Sequence, residues 1–135
     1  MVFLEKTTKK EKLFSYLDRI PEAHSREVWL KTGDDTYVSS AEIMYIRSAN
    51  KYVEIYTRNQ KKVAYYSIKE CIKRLPSDGF RRVQKSYLIN FAYVKKIGTE
   101  TLMADGFVIH PTRGTIRELK RAYMVYCSER AKRYL

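Results

Sequence analysis

Cysteine and histidine are scarce in this 135-residue chain, so most of the groups that build metal centres and nucleophilic active sites are missing. There are only two residues of each type: Cys71, Cys127, His24 and His110. The cysteines lie far apart, form no CxxC pair and have no histidine beside them to complete a zinc site. Neither histidine stands near a carboxylate or nucleophile motif, and no glycine-rich phosphate loop occurs. The sequence therefore predicts no enzyme, no metal and no cofactor, and its cysteines are interpreted as ordinary thiols of a reducing cytoplasm.

Long apolar runs are also missing from the sequence. No stretch approaches the roughly 18 apolar residues that a membrane-spanning helix needs. The N-terminal MVFL is followed at once by the charged stretch EKTTKKEK, so the apolar core of a signal peptide is lacking. We therefore predict a cytoplasmic protein with no membrane span, and nothing in the sequence indicates a small-molecule substrate.

Acidic residues are outnumbered by basic ones, which indicates a polyanionic partner. The chain has 27 Lys and Arg against 15 Asp and Glu, a formal net charge of +12 and a sequence pI near 9.7. Such an excess favours nucleic acid first and an anionic membrane surface second. With 44% hydrophobic residues the chain can bury a single core, as expected for one domain or one domain plus a fragment.

Residues 1–26 differ in pattern from the rest and are predicted to form a helical N-terminal segment or linker. A capping-box pattern from Thr8 to Glu11 precedes apolar residues at helical spacing, and Pro21 follows, so we expect a helix over residues 9–20. The segment resembles the end of a phosphoacceptor receiver domain, with Lys6 in the place of that domain's invariant lysine. The alternative is a plain helical extension.

From Glu27 onward the pattern changes to short strands separated by turn signals. Asp105-Gly106 is the strongest hairpin signal, and the strand from Tyr52 to Tyr56 alternates, with Val53 and Ile55 predicted on one face. One short internal helix begins at a capping box on Ser67, and a basic helix closes the chain. We predict that the inward residues of these two helices are Ile68, Cys71, Ile72 and Leu75 in the first and Ile116, Leu119, Tyr123 and Tyr126 in the second.

Three loops carry the long polar and basic side chains that could meet nucleic acid. They are Asn50–Tyr52, Gln84–Ser86 and Thr112–Gly114. Lysine and arginine neutralise phosphates, and Arg, Lys, Asn and Gln can also form hydrogen bonds with base edges. We therefore interpret these loops as the candidate binding groups.

Four phrases, in order and at fitting intervals, resemble the LytTR-type DNA-binding domains of bacterial response regulators. Glu42–Ile46 with Tyr52–Val53 matches the first phrase, Ser67–Leu75 the helix, Phe80–Asn90 the central phrase, and Pro111–Arg113 the closing one. The resemblance implies a mainly β, elongated antiparallel fold of short strands over residues 27–126, with one short internal helix and terminal helices. Residues 127–135 would end the basic C-terminal helix.

In similar domains, inter-strand loops enter successive major grooves of duplex DNA, and two copies act on repeated promoter sites. The resemblance therefore implies double-stranded DNA as the partner and a dimer on that DNA. Carried over by position, Lys85 and Arg113 would contact bases, Gln84 would meet phosphate or a base edge, and Ser86 and Arg82 would meet the backbone. The remaining candidates are Asn50, Lys51, Tyr52 and Thr112.

This chain departs from the family pattern at two places. Gln84 stands where the family has histidine, and the closing phrase is His110-Pro111-Thr112-Arg113-Gly114, shifted by one residue around its proline. Both departures affect which DNA sequence the chain is expected to bind. Two alternatives stay open: an RNA- or single-strand-binding module that uses the twelve tyrosines for stacking, and a stand-alone regulator controlled by a protein partner.

Overall fold

The computed structural model describes residues 27–133, without the side chain of the last of them. The helix predicted over residues 9–20 and the assignment of Lys6 therefore lie outside the described residues. Within 27–133 the fold is mainly β, with every strand pairing antiparallel, as predicted. The elements are β1 Trp29–Lys31, β2 Tyr37–Ser39, β3 Ile43–Ala49, β4 Tyr52–Thr57, β5 Lys61–Ala64, α1 Ile68–Arg74, β6 Phe80–Gln84, β7 Tyr87–Asn90, β8 Val94–Lys96, β9 Thr101–Met103, β10 Val108–Ile109 and α2 Ile116–Arg133.

The central element is a five-stranded sheet with the strand order β5-β4-β3-β7-β6. One of its faces packs with the β1–β2 hairpin and α1 around an aliphatic core that includes Leu30, Ile46 and Cys71. The other face packs with the three-stranded sheet β10-β9-β8 and α2 around a core that includes Phe91 and Met103. The central strands of the sheet are therefore covered on both faces, while the ends of the sheet and parts of its edge strands β5 and β6 remain exposed.

The predicted alternation along β4 is confirmed. Val53 and Ile55 are fully buried in the first core, while Tyr56 packs against the second. Because the central strands of the sheet are covered on both faces, Glu54, which lies between Val53 and Ile55 in the sequence, is also buried and is only 8% exposed. The sequence pattern predicted one buried face, whereas the structure buries both.

The short helix α1 begins at Ser67 with both hydrogen bonds of the predicted capping box. The Ser67 hydroxyl accepts from the Glu70 N–H at 3.1 Å, and the Glu70 carboxylate accepts from the Ser67 N–H at 2.7 Å. The prediction that Ile72 faces inward is wrong, since this side chain is 37% exposed. Each helical residue turns about 100° from the last, and a two-turn helix that points Cys71 at the sheet leaves Ile72 at the margin of the contact.

The long helix α2 packs its aromatic side against Phe91. The rings of Tyr123 and Tyr126 lie with their centroids 5.4 Å and 5.5 Å from the Phe91 ring, and Leu119 is buried, as predicted. Ile116, at the first position of the helix, is only half-buried. The opposite side of α2 is basic and exposed, with Arg117, Lys120, Arg121, Arg130 and Lys132.

Candidate nucleic-acid interface

Two tight turns lie side by side at one end of the five-stranded sheet. Asn50 and Lys51 form the turn between β3 and β4, because Ala49 pairs with Tyr52. Asn50 adopts a positive φ of 63°, which asparagine tolerates better than most residues. Lys85 and Ser86 form the turn between β6 and β7. Since β3 and β7 are antiparallel neighbours, the two turns project from the same end of the sheet.

A backbone hydrogen bond ties the second turn to β3, the strand that leads into the first turn. The N–H of Ser48, near the end of β3, donates to the carbonyl of Ser86 at 2.8 Å. The pairing of β3 with β7 is thereby extended into the second turn. Neighbouring strands lie about 4.8 Å apart, so the midpoints of the two hairpin turns are separated by roughly 10 Å.

The third loop runs along the outer edge of β6 and reaches the same end of the sheet. The N–H of Thr112 donates to the Val83 carbonyl at 2.9 Å, and the side-chain amide of Gln84 donates to the His110 carbonyl at 2.9 Å. The Thr115 hydroxyl then donates to the Thr112 carbonyl at 2.6 Å and closes the turn before α2. The structure thus brings all three predicted loops into one row in the order Asn50–Tyr52, Gln84–Ser86 and Thr112–Gly114, here called the loop row.

The basic side chains of the loop row are exposed and free of counterions from the described part of the chain. Lys51, Lys85 and Arg113 are exposed, and none of the three forms an ion pair with a carboxylate of residues 27–133. Thr112 is also exposed, while Tyr52 and Ser86 are half-buried. A polyanion could approach these cations without first displacing a carboxylate of residues 27–133.

Two of the predicted contact residues also stabilise the row. Nη2 of Arg82 donates to the Lys85 carbonyl at 2.7 Å. The guanidinium therefore stabilises the turn between β6 and β7 while remaining exposed. The half-buried Gln84 uses its amide nitrogen to join the second loop to the third. Sequence reasoning missed this role, because both bonds depend on side chains crossing to backbone atoms whose positions only the fold determines.

The carboxylates beside the row are held by hydrogen bonds and ion pairs. Glu54 accepts from the Tyr56 hydroxyl at 2.8 Å and from Nε of Arg47 at 3.0 Å, with Nζ of Lys61 3.8 Å away. The Tyr56 hydrogen bond, with Arg47 adding to it, holds the pKa of Glu54 below its usual value, although burial opposes the shift. Glu54 is thus a neutralised group within the sheet and does not repel a ligand at its end.

The acidic turn between β1 and β2 is neutralised in the same way. Nζ of Lys62 lies 2.6 Å from the Asp34 carboxylate and Nζ of Lys31 lies 3.4 Å from that of Asp35. The hydrogen bond from Lys62, followed by those from Thr32 and Thr36, holds the pKa of Asp34 far below its usual range. This turn therefore contributes little net charge to the end of the sheet.

An aromatic cluster, which sequence reasoning also missed, packs the β9–β10 turn against the sheet. The Tyr45 ring is stacked between those of Tyr56 and Phe107, with centroid distances of 4.7 Å and 5.2 Å, and its hydroxyl donates to Asp105 at 2.9 Å. Tyr87, the residue after the second turn, lies 5.8 Å from Phe107. Burial, with the Asp105 hydrogen bond, raises the pKa of Tyr45. Alternate tyrosines in the strands indicated that their rings pack on the sheet. The sequence alone could not show that Tyr45 bonds to Asp105, 60 residues away.

The described residues contain neither a membrane-spanning helix nor a cluster of metal ligands. No helix between residues 27 and 133 is both long enough and apolar enough to cross a membrane. Over the same residues no group of three or more His, Cys, Asp or Glu side chains is placed to hold a metal ion.

Comparison with known proteins identifies the family of this fold. The model of the LytTr DNA-binding domain matches residues 33–124. A solved LytTr DNA-binding domain of a Bacillus cereus protein, described as a methyl-accepting/DNA response regulator, is 21% identical. The similarity covers 74% of this chain and 97% of that one, with a TM-score of 0.59, and shows a shared fold. No curated protein matches the chain. Because the family model spans more than half of the sequence, the chain belongs to the LytTr DNA-binding domain family.

Proposed function

We propose that this DNA-binding domain recognises specific duplex sequences through the loop row, as the effector domain of a two-component transcription regulator. The observation that supports the proposal is the row itself. Two hairpin turns and a third loop lie side by side at one end of a sheet, where hydrogen bonds join the second turn to β3 and the third loop to β6. The cations that they expose form no ion pair with any carboxylate of residues 27–133.

Base contacts are assigned to Lys85 and Arg113. Both are exposed on loops whose backbones are fixed by hydrogen bonds, so the side chains extend from a stiff base. Lysine and arginine can donate to O6 and N7 of guanine in the major groove, and each good bidentate contact discriminates against a wrong base by about 1–3 kcal/mol. The first loop contributes through Asn50, Lys51 or Tyr52.

Backbone contacts are assigned to the shorter side chains and to the donors that remain free. Ser86 and Thr112 carry hydroxyls that can donate to phosphate. A guanidinium has five N–H groups, so Arg82 can hold the Lys85 carbonyl and still meet a phosphate. Gln84 retains its carbonyl oxygen and one amide hydrogen for a base edge or the backbone. Such contacts position the protein on the duplex without reading the sequence.

The length of the loop row can be compared with the distance between successive major grooves. From the first turn to the third loop the row spans about three to four strand spacings, or roughly 17 Å. Successive major grooves on one face of B-DNA are about 34 Å apart. We propose that the end loops reach toward successive major grooves through their long side chains. Guanine methylation interference would then show two patches about 10 base pairs apart. A single patch would place the whole row in one groove.

Two copies are proposed to bind repeated promoter sites. The spacing of the repeats should equal one helical turn, about 34–36 Å, or a multiple of it, so that both copies face the same side of the duplex. Inserting five base pairs between the repeats should weaken the binding of the second copy, and inserting ten should restore it. Equal binding at all spacings would show that the copies act independently.

The test of the proposal begins with selection of binding sites from a random duplex pool by the 135-residue chain. Arg113→Ala should weaken binding to the selected site by about 1–3 kcal/mol and relax specificity at one position. Lys132→Ala is the matched control, because it removes the same charge about 24 Å from the start of α2. Failure to enrich any duplex sequence would contradict the proposal. Preference for the single strand over the duplex would favour an RNA- or single-strand-binding module instead.

A further inference from the structure

An exposed tyrosine lies at the loop-row end of the sheet, outside the three loops. β4 and β5 pair antiparallel, with Val53 opposite Ala64 as the last pair of β5. The next residue, Tyr65, therefore lies beside Tyr52, which closes the Asn50–Lys51 turn through its pairing with Ala49. Because β5 is the strand beyond β4, Tyr65 extends the row on the side away from Lys85.

Tyr65 is exposed, but one edge of its ring packs against the backbone of Gly33. The side chain is 73% exposed. The N–H of Gly33 donates to the Val63 carbonyl at 2.7 Å, and a Cβ atom added to Gly33 would lie only 3.0 Å from Cε2 of Tyr65. The ring thus packs closely against a glycine backbone that leaves room for it. Packing on one side restricts the ring, which lowers the conformational entropy lost when a ligand binds.

The next residue anchors the segment from the other side. The hydroxyl of Tyr66 accepts the N–H of Lys31 at 3.2 Å, and the guanidinium of Arg74 lies 5.0 Å from the centre of its ring. Tyr66 also packs against the aliphatic core. With Tyr66 held inward, Tyr65 is directed outward at the end of β5.

The charges nearby favour a neutral hydrogen-bond donor at this position. The two lysines closest to the β1–β2 turn are committed to its carboxylates, Lys62 to Asp34 and Lys31 to Asp35. If either lysine bound a phosphate instead, its carboxylate partner would be left unpaired beside the DNA. A phenol can donate to a phosphate and pack its ring against a sugar without breaking either ion pair.

We infer that Tyr65 belongs to a fourth segment that contacts DNA, beside the three loops, and that it binds the sugar-phosphate backbone at the outer margin of the segment contacted by the Asn50–Lys51 turn. The inference rests on the proposed function, because it assumes that the loop row faces a duplex. The contact is independent of sequence and carries no charge. It should therefore change affinity without changing base preference or the salt dependence of binding.

The test uses the 135-residue chain and the duplex that it selects from a random pool. Tyr65→Phe removes only the hydroxyl and should weaken binding about fivefold, as expected for one hydrogen bond. Tyr65→Ala also removes the ring and should weaken binding about tenfold or more. In a hydroxyl-radical footprint Tyr65→Ala should lose protection of the sugars at one end of the site only. The slope of log affinity against log salt should stay that of the unchanged protein.

The matched control is Tyr37→Ala. Tyr37 is 62% exposed and pairs with Lys31 on the β1–β2 hairpin, outside the loop row and not beside Tyr52 in the five-stranded sheet. This variant should bind and footprint as the unchanged chain does. Thermal unfolding of each variant separates a lost contact from a lost fold, and Tyr65→Phe retains the ring that packs on Gly33.

Two results would overturn the inference. One is unchanged affinity for both Tyr65 variants while Arg113→Ala shows its expected loss, which leaves the proposed function standing. The other is a footprint that weakens uniformly in Tyr65→Ala. Failure of the unchanged chain to select or bind any duplex would overturn the proposed function together with this contact.

Discussion

The loop row and the outer face of α2 are both basic, but they hold their charges in different ways. In the row, Lys85 and Arg113 project from loops fixed by backbone hydrogen bonds, and no described carboxylate pairs with them. On α2 only Lys132 forms an ion pair within residues 27–133, 3.6 Å from Glu129. Arg117, Lys120 and Arg121 are unpaired there too, but they extend from a regular helix that also carries Glu118 and Glu129. Net charge therefore indicates a polyanionic partner, whereas the loops or helix that carry the charges indicate where that partner binds.

The largest expected effect tests the row directly. Removing both Lys85 and Arg113 as Lys85→Ala plus Arg113→Ala should cost about 1–3 kcal/mol for each side chain. The specific complex should then approach the affinity of the chain for unrelated duplex. Band shifts with the selected site and a scrambled site measure both affinities. If the double variant keeps the discrimination of the unchanged chain, the row does not read the sequence.

A second prediction concerns the acid held within the sheet. Glu54→Gln keeps the size of the side chain but loses its charge, and should lower stability at pH 7 by on the order of 1 kcal/mol. The folded-state pKa of Glu54 lies below the ordinary 4.5, so its contribution is present above that pH and is lost as the pH falls through the lowered value. Urea unfolding at pH 7 and pH 3 should show a gap between the two proteins that is larger at pH 7 and narrows at pH 3.

Glu54→Gln should also change the surroundings of Arg47, a basic residue outside both regions. With its partner neutral, Arg47 should gain freedom to meet phosphate, and binding to unrelated duplex should not fall. Equal stability of the two proteins at pH 7 would show that the Tyr56 and Arg47 bonds do not stabilise the charged form.

A third prediction separates the effect of the Arg82 hydrogen bond, which positions the Lys85 turn, from the effect of its positive charge. Arg82→Ala loses the hydrogen bond to the Lys85 carbonyl and should weaken specific binding by about 1 kcal/mol. Arg81→Ala removes the same charge from the neighbouring position, which points to the opposite face of β6. If the two variants lose equal affinity for selected and scrambled duplex, charge alone accounts for the effect and the anchoring role of Arg82 is wrong.

The smallest effect is expected on α2. Lys120→Ala should change binding by less than about 0.5 kcal/mol, equally for all duplex sequences, as for an exposed charge. Salt titrations of affinity on the selected and scrambled duplexes measure it. A loss confined to the selected duplex would move part of the sequence-reading surface onto the helix.

Much of the fold could be predicted because its signals are local. The capping box at Ser67 fixes the start of α1 through neighbouring residues, and the Asp105-Gly106 turn lies between two strands, as predicted. The alternation of Val53 and Ile55 predicted one face of β4. These features depend on a few adjacent residues, so a single sequence contains them.

The organisation of the site was less predictable because it depends on distant contacts. The motifs predicted the three loops, but the row exists because β3 pairs with β7 and the Thr112 N–H reaches the Val83 carbonyl. The anchoring bonds of Arg82 and Gln84 and the place of Tyr65 beside Tyr52 follow from the same long-range pairing. A sequence pattern predicts which side chains are polar, and the fold decides whether they hold the site or bind its ligand.

The role of the loop row is tested most directly by two charge-matched double variants on the same DNA. Lys85→Ala plus Arg113→Ala alters the loop row, and Lys120→Ala plus Lys132→Ala removes two positive charges from α2. The ratio of affinities for the selected and scrambled duplexes is measured for each at one salt concentration. We predict that this ratio collapses toward one in the loop-row variant and stays unchanged in the α2 variant. An equal fall in both would contradict the claim that the loop row reads the DNA.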